Sequence, residues 1–319
     1  MNIAVSTTIR ELIVKAQSGF EVQVPEYKLR NPKAGDRVVR ERLFEYLDQR
    51  DTRRLIVIHA RAGQGKSSFA ADFLRRTGRS FSWYSIDSWD SSELRLVCGI
   101  RAAIQHGVDT PATAGRLGNP VSGPEDGLME DLSSRLPTGH CIVLDDFHLL
   151  PEAGNGYEFI RRLITRLPMK IHLVIISRNY PDIELARLRA EKEVVEIGDD
   201  ELAFSEDEVR LYLQKLARIP LPGTIFDRLY RLVGGWITGY VYLVERLSVL
   251  SHDERQSFLD GFLESGMMPE IDDFFVEEVI RSLTGEQVET LFQLGGLEQL
   301  NDNLVSLVSD ARTNGFLFT

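Results

Sequence analysis

The stretch from Leu55 to Leu74, LIVIHARAGQGKSSFAADFL, constrains this chain more than any other part of it. Leu55 to His59 are almost all aliphatic, the composition of a parallel strand buried on both faces. Ala60-Arg61-Ala62-Gly63-Gln64-Gly65-Lys66-Ser67 then follows the pattern G-x-x-x-x-G-K-[ST] with one departure, Ala60 at the first glycine, and runs into the helix-like Ser68 to Leu74. A polyphosphate is wrapped by backbone N–H groups. Gly63 and Gly65 must therefore permit close approach and unusual φ, and the helix after them points its positive end at the same anion. Ala62, Gly63, Gln64, Gly65, Lys66, Ser67 and Ser68 are the expected cradle, with Lys66 as a point charge on the β and γ phosphates and the Ser67 hydroxyl on Mg²⁺. Ala60 is tolerable there so long as its φ stays negative.

At 319 residues the chain fits two or three domains, and its 43% hydrophobic and 27% charged content is that of a soluble globular protein. The 37 basic against 48 acidic side chains, a net charge of −11, argue against direct nucleic-acid binding by this chain. No run approaches the ~18 apolar residues of a membrane span, and the N-terminal MNIAVSTTIRELIVKAQ lacks the marks of a signal peptide. The expectation is a cytoplasmic protein with no membrane partner. Cys98 and Cys141 both sit in apolar segments and read as core thiols.

In chain order, the first 25 residues suggest a short amphipathic helix (Ile9, Leu12, Ile13, Ala16) and an extended Val22 to Pro25. Val38 to Leu47 has helical spacing. Further strands are expected at Phe81–Ile86, Cys141–Leu144, Ile171–Ile176 and Val194–Ile197, with helices near 92–106, 129–136 and 157–167, and a Gly- and Pro-rich loop over 107–125.

The strand Cys141–Leu144 ends in Asp145-Asp146. An acidic pair at the end of a parallel strand suits a nucleotide-hydrolysing site, Asp145 toward Mg²⁺ and Asp146 toward the attacking water, although a capped turn is the common alternative. His148 reads as a turn residue. Arg178 follows the next strand and emerges at the same edge, where it would read the γ-phosphate. From Glu196 to Glu208 there are seven carboxylates and no basic residue, which reads as a domain boundary. Beyond it, Ser205 is an expected N-cap and helical spacing recurs near 206–217, 223–233, 237–249, 252–264, 271–283 and 286–295. Trp236 with Tyr240, and Phe274 with Phe275, read first as packing residues.

Val38-Val39-Arg40-Glu41-Arg42-Leu43, the glycine-rich loop, Trp83-Tyr84-Ser85-Ile86-Asp87, Leu144-Asp145-Asp146-Phe147-His148, Ser177-Arg178-Asn179, Glu201 to Ser205 and Gly235-Trp236 together resemble the STAND ATPases, specifically the nucleotide-binding and oligomerisation region of MalT-type, LuxR-family transcriptional regulators. The resemblance implies an α/β P-loop NTPase domain, a parallel sheet flanked by helices, over residues 28–200 after an N-terminal extension of residues 1–27. An all-α helical domain over 201–265 and a partial winged-helix domain over 266–319 would come next. It also implies ADP or ATP with Mg²⁺ as cofactor, slow hydrolysis, and self-association in the ATP form.

By position, Arg40 would lie near the adenine or ribose, Lys66 and Ser67 at the phosphates and metal, Asp145 and Asp146 at Mg²⁺ and water, Arg178 at the γ-phosphate, and Trp236 near the base. Ile237 stands where a proline is common in that family. Inducer and DNA contacts would belong to domains outside this chain. The alternatives are a P-loop phosphotransferase or ATPase with ordinary turnover, and a nucleotide-gated protein-interaction scaffold.

Overall fold

A computed structural model describes residues 11–15, 21–50, 53–107, 124–152 and 154–278, with isolated positions beyond. It opens on an antiparallel ribbon, β1 (Glu11–Lys15) and β2 (Glu21–Pro25), with Leu12 opposite Val24 and Val14 opposite Val22. This corrects the helix expected at the N-terminus. The β-branched Ile13-Val14 finds an extended partner in Val22-Gln23-Val24, and pairing with it wins over the helical spacing of the apolar residues. Ile9 and Ala16 of that expected helix lie outside the described residues. In the turn that follows β2, the buried Lys28 Nζ lies 2.7 Å from Asp90 and 2.8 Å from Asp87.

Helix α1 (Glu41–Asp48) begins after Arg40, later than the spacing from Val38 suggests. Next come β3 (Leu55–His59), α2 (Lys66–Arg76), β4 (Phe81–Ser85) and α3 (Glu93–Gly107). Helix α4 (Pro124–Ser134) starts earlier than expected, because proline is favoured at a first helical position and Glu125 and Asp126 complement the helix dipole. The chain continues through β5 (His140–Asp145), α5 (Asn155–Arg166), β6 (Ile171–Ser177), α6 (Ala186–Ala190), β7 (Val194–Ile197) and α7 (Asp199–Leu202).

The described residues divide into two compact units, one from Met1–Ala60 and Lys66–Leu202, the other from Arg61–Gly65 and Ala203–Thr319. In the first, five parallel strands are ordered β4-β5-β6-β3-β7. Side chains alternate across a strand, and both faces are buried. Leu55, Val57, Ile142, Leu144, Leu173 and Ile175 join the core that includes residues of α3, α4 and α5. Ile56, Ile58, Cys141, Val143, Val174 and Ile176 join the opposite core, with residues of α1, α2 and α7. Cys98 and Cys141 are buried free thiols, as expected.

The second unit is helical: α8 (Glu206–Leu211), continued by a π-turn over Tyr212–Leu216, then α9 (Gly223–Val233), α10 (Ile237–Val249), α11 (His252–Ser265) and α12 (Pro269–Glu278). Ser205 caps α8, its hydroxyl accepting from Glu208 N at 3.2 Å while the Glu208 carboxylate accepts from Ser205 N at 2.9 Å. Phe226, Leu229, Tyr240, Leu243 and Phe262 are among its buried core residues. Gly235 allows the chain to pass close by: a Cβ there would meet the Phe204 backbone at 2.6 Å, and its carbonyl accepts from Phe204 N. The helix expected at 286–295 and most of the expected winged-helix segment lie outside the described residues.

Candidate nucleotide-binding site

In the first unit the expected site residues converge at the carboxyl edge of the sheet. β6 lies between β3 and β5, so the acidic pair and the glycine-rich loop end on strands that are not neighbours. Ala60 is fully buried, is not among the positive-φ residues, and its amide donates to the Ser177 carbonyl at 3.3 Å. Its carbonyl accepts from Lys66 Nζ at 2.5 Å. A methyl group at the first glycine position is thus accommodated where the strand ends.

At the second residue of α2, the Ser67 hydroxyl donates to Asp145 Oδ1 at 2.9 Å, and the Asp146 amide donates to the same oxygen at 3.0 Å. Asp146 itself adopts a left-handed conformation, φ 55° and ψ 36°, which aspartate tolerates better than most residues and which swings the chain into the 3-10 turn Phe147–Leu149. Arg178 follows β6 directly.

The electrostatics tie these groups together. Burial, and then the charge of Arg178, lower Lys66 to about 8, against the opposing pull of Asp199, Asp145 and Asp146. Burial, and then the charge of Asp146, raise Asp145 to about 6, although hydrogen bonds from Ser67 and the Asp146 amide and the charge of Lys66 hold it down. Burial, followed by the charges of Arg178 and Lys66, lowers His148 to about 4. Lys66, Asp145, Asp146 and Arg178 therefore share one electrostatic neighbourhood with two residues to which residue pattern alone gave no role. Asp199 was hidden in an acidic run that looks like a boundary, and His148 in a turn; the only sequence signal for His148 is its place just after the acidic pair.

Arg40 is buried, and its Nη2 donates to the Leu202 carbonyl at 2.8 Å and the Glu201 carbonyl at 3.4 Å. Its guanidinium satisfies orphan carbonyls at the carboxyl end of α7, which gives it a structural task in addition to any ligand contact.

In the second unit, Gly63 and Gly65 have φ of 77° and 80°, the left-handed geometry that the motif requires. The indole of Trp236 donates to the Ala62 carbonyl at 3.1 Å, and the Thr238 hydroxyl donates to the Gly63 carbonyl at 2.7 Å. A Cβ on Gly63 would meet Trp236 Nε1 at 2.5 Å, so glycine is needed here for space as well as for φ. Trp236 also packs against Phe274 and Phe275, with ring centroids 5.5 and 5.3 Å away. Its N–H serves the loop backbone, a task that residue pattern did not announce. Thr238 carried no signal at all.

Among the described residues no group of three or more His, Cys, Asp or Glu side chains could hold a metal ion. A Mg²⁺ site needs no such cage: one carboxylate, one hydroxyl, waters and phosphate oxygens suffice. Ser67 and Asp145 supply two hard oxygens at mutual hydrogen-bonding distance, which fits that donor set.

No family model matches the chain. It is 28% identical over 285 residues, 85% of its length, to the HTH-type transcriptional regulator MalT of Cronobacter sakazakii (strain ATCC BAA-894). It spans 30% of that relative's length. Among solved structures it is similar to the Aeropyrum pernix ORC1 protein in complex with DNA, at 20% identity and TM-score 0.44 over 84% of this chain and 74% of that one. A second is Drosophila ORC bound to AT-rich DNA and Cdc6, at 12% identity and TM-score 0.33 over 70% of this chain and 80% of that one. The loop geometry and the regulator similarity together support a P-loop NTPase domain. Among the described residues no helix is long and apolar enough to cross a membrane.

Proposed function

We propose that this chain is the ATP- and ADP-binding switch of a signal-responsive regulator, a STAND-type module that hydrolyses ATP slowly with Mg²⁺ and self-associates in the ATP form. The observation that carries the nucleotide reading is the Ser67–Asp145 bond at 2.9 Å, which brings the loop's hydroxyl and the acidic strand end to one point. In this reading the backbone from Ala62 to Ser68 wraps the phosphates, and Lys66 and Arg178 neutralise them. Ser67 and Asp145 hold Mg²⁺, which when bound offsets phosphate charge and orients the terminal group. Asp146 positions water, on a backbone that the left-handed turn sets. Similarity to a transcriptional regulator supports an output in transcription, with inducer and DNA engaged by other domains and a cytoplasmic location.

A switch needs tight binding and little turnover, whereas a phosphotransferase turns over at ~1–100 s⁻¹. Denaturing the purified chain, identifying the released nucleotide by chromatography and measuring ATP turnover on the same sample separates the two. Retained ADP with turnover well below one per second supports the switch. Rapid turnover from an empty site would replace it with an ordinary ATPase.

A further inference from the structure

Two strands, β5 and β6, separate β4 from the strand that leads into the glycine-rich loop. At this far edge of the sheet lies a cavity of about 160 Å³, lined by residues of β2 and the turn after it, of β4 and the turn after it, and of α3. It opens to solvent between two aromatic residues, Tyr27 and Trp89, which are 59% and 71% exposed. Its floor is charged and tightly bonded. Lys28 and Asp90 are both more than nine-tenths buried. Asp90 Oδ1 accepts from the Tyr84 hydroxyl at 2.7 Å, and its Oδ2 accepts from Lys28 Nζ at 2.7 Å and from the Asp87 amide at 3.0 Å. Asp87 Oδ2 accepts from the same Lys28 Nζ at 2.8 Å and from the Tyr27 hydroxyl at 3.4 Å, while its Oδ1 accepts from the Trp89 amide at 2.9 Å.

Two carboxylates thus face one ammonium, and the floor keeps a surplus negative charge. Asp87 is the carboxylate that solvent still reaches, with a side chain 26% exposed. A carboxylate accepts roughly four hydrogen bonds, and those from Lys28, Tyr27 and Trp89 leave room for another. An ammonium group suits that position, and the aromatic faces of Tyr27 and Trp89 attract the same charge while offering area to an apolar body. Arg95, exposed on α3, lines the cavity as well and supplies a partner for a carboxylate. The volume lies below the ~300–1,000 Å³ of sites for drug-sized ligands, so the occupant is small. We propose that this cavity binds a free α-amino acid, with its ammonium on Asp87, its side chain against Tyr27 and Trp89, and its carboxylate toward Arg95. The cavity shares no lining residue with the phosphate site, and the proposal stands independently of the nucleotide-binding reading.

The test titrates the full chain calorimetrically with each common α-amino acid, then with the C-terminal amide and the N-acetyl derivative of the tightest binder. At least one amino acid should bind saturably with a Kd of about 1 mM or tighter. Its amide, which lacks the carboxylate, and its N-acetyl derivative, which lacks the ammonium, should each bind at least about tenfold more weakly. Arg95→Ala should weaken the amino acid to a similar degree and leave the amide unchanged. Asp87→Asn should weaken both. Absence of saturable binding by any amino acid overturns the proposal. An amide that binds as tightly as the free acid also overturns it, and would assign the cavity to the amino terminus of a peptide.

Asp87 also anchors Lys28, and Asp87→Asn could unfold the turn. Two exposed positions keep the test decisive. Arg95→Ala changes a surface side chain of α3, and Trp89→Phe keeps an aromatic face while removing the indole. In the wild type the amino acid should change tryptophan fluorescence, and Trp89→Phe should abolish that change while calorimetry still detects binding. Binding that ignores Arg95→Ala, or a fluorescence change that survives Trp89→Phe, would place the ligand elsewhere and overturn the proposal.

Discussion

The Ser67 hydroxyl donates to Asp145 Oδ1 at 2.9 Å although the strands leading to the two residues, β3 and β5, are separated by β6. The bond crosses a whole strand at the carboxyl edge, where Ser67 and Asp145 are the side chains that would hold Mg²⁺. Ser67→Ala removes one metal oxygen and leaves the Asp145 carboxylate without that donor. The expected outcome is metal-free ADP affinity within about twofold of wild type and loss of most of the enhancement by Mg²⁺, about tenfold. Nucleotide titrations with and without EDTA check this, and an undiminished Mg²⁺ effect would remove Ser67 from the metal site.

Lys66 and Asp146 should separate binding from turnover. Lys66 Nζ is parked on the Ala60 carbonyl and is the point charge assigned to the phosphates, so Lys66→Ala should abolish measurable ATP binding. Asp146→Asn tolerates the left-handed backbone and keeps the turn. It should retain binding and slow hydrolysis by about 10²–10⁴-fold. Equal loss of binding in both variants would sink the separate assignments.

Gly63→Ala meets two obstacles, φ of 77° and a Cβ 2.5 Å from Trp236 Nε1 and 2.8 Å from Thr238 Oγ1. The backbone strain alone is about 1–2 kcal/mol, and both loop hydrogen bonds must shift. We expect a lower unfolding midpoint and lost nucleotide affinity. Trp236→Phe, which removes the indole donor together with one ring of the packing against Phe274 and Phe275, should cost about 1–3 kcal/mol. Thermal melts of the two variants give the comparison, and an unchanged Gly63→Ala would mean that the loop is free to rearrange.

His140 should make the fold acid-sensitive. It is fully buried between the hydroxyls of Ser80 and Ser82, each 3.0 Å from a ring nitrogen, and burial lowers it from 6.5 to about 4. Between those values the unfolded chain binds more protons than the folded one. The stabilisation is therefore complete above pH 6.5 and is lost as pH falls toward 4, by about 3 kcal/mol. Denaturant unfolding of His140→Gln across this window should show a shallower loss than wild type; identical slopes would assign the acid sensitivity to other groups.

Local chemistry made much of this protein legible. Leu55–His59, His140–Asp145 and Ile171–Ser177 are short apolar, β-branched runs bounded by polar residues, and a chain that must bury both faces of a sheet has few other uses for them. Gly63 and Gly65 declared their φ in advance, because no other residue adopts it cheaply. The motif for Lys66 and Ser67, and the strand ends for Asp145, Asp146 and Arg178, made one shared sheet edge the expectation, since parallel strands deliver the residues at their carboxyl ends to the same side.

Pairings made over long separations were beyond the reach of any local pattern. The N-terminal ribbon exists because Ile13 meets Gln23 across a strand, and no pattern within five residues announces a partner. Thr238 reaches the Gly63 carbonyl from 175 residues away, and Arg40 reaches the Leu202 carbonyl from 162. The insertion of β6 between β3 and β5, and the cavity that Tyr27 shares with Asp87 and Trp89, are likewise products of how distant segments stack. Residue type and spacing determine which φ, charge and apolar surface a segment offers; only the packed chain decides which carbonyl, ring or carboxylate it finds there.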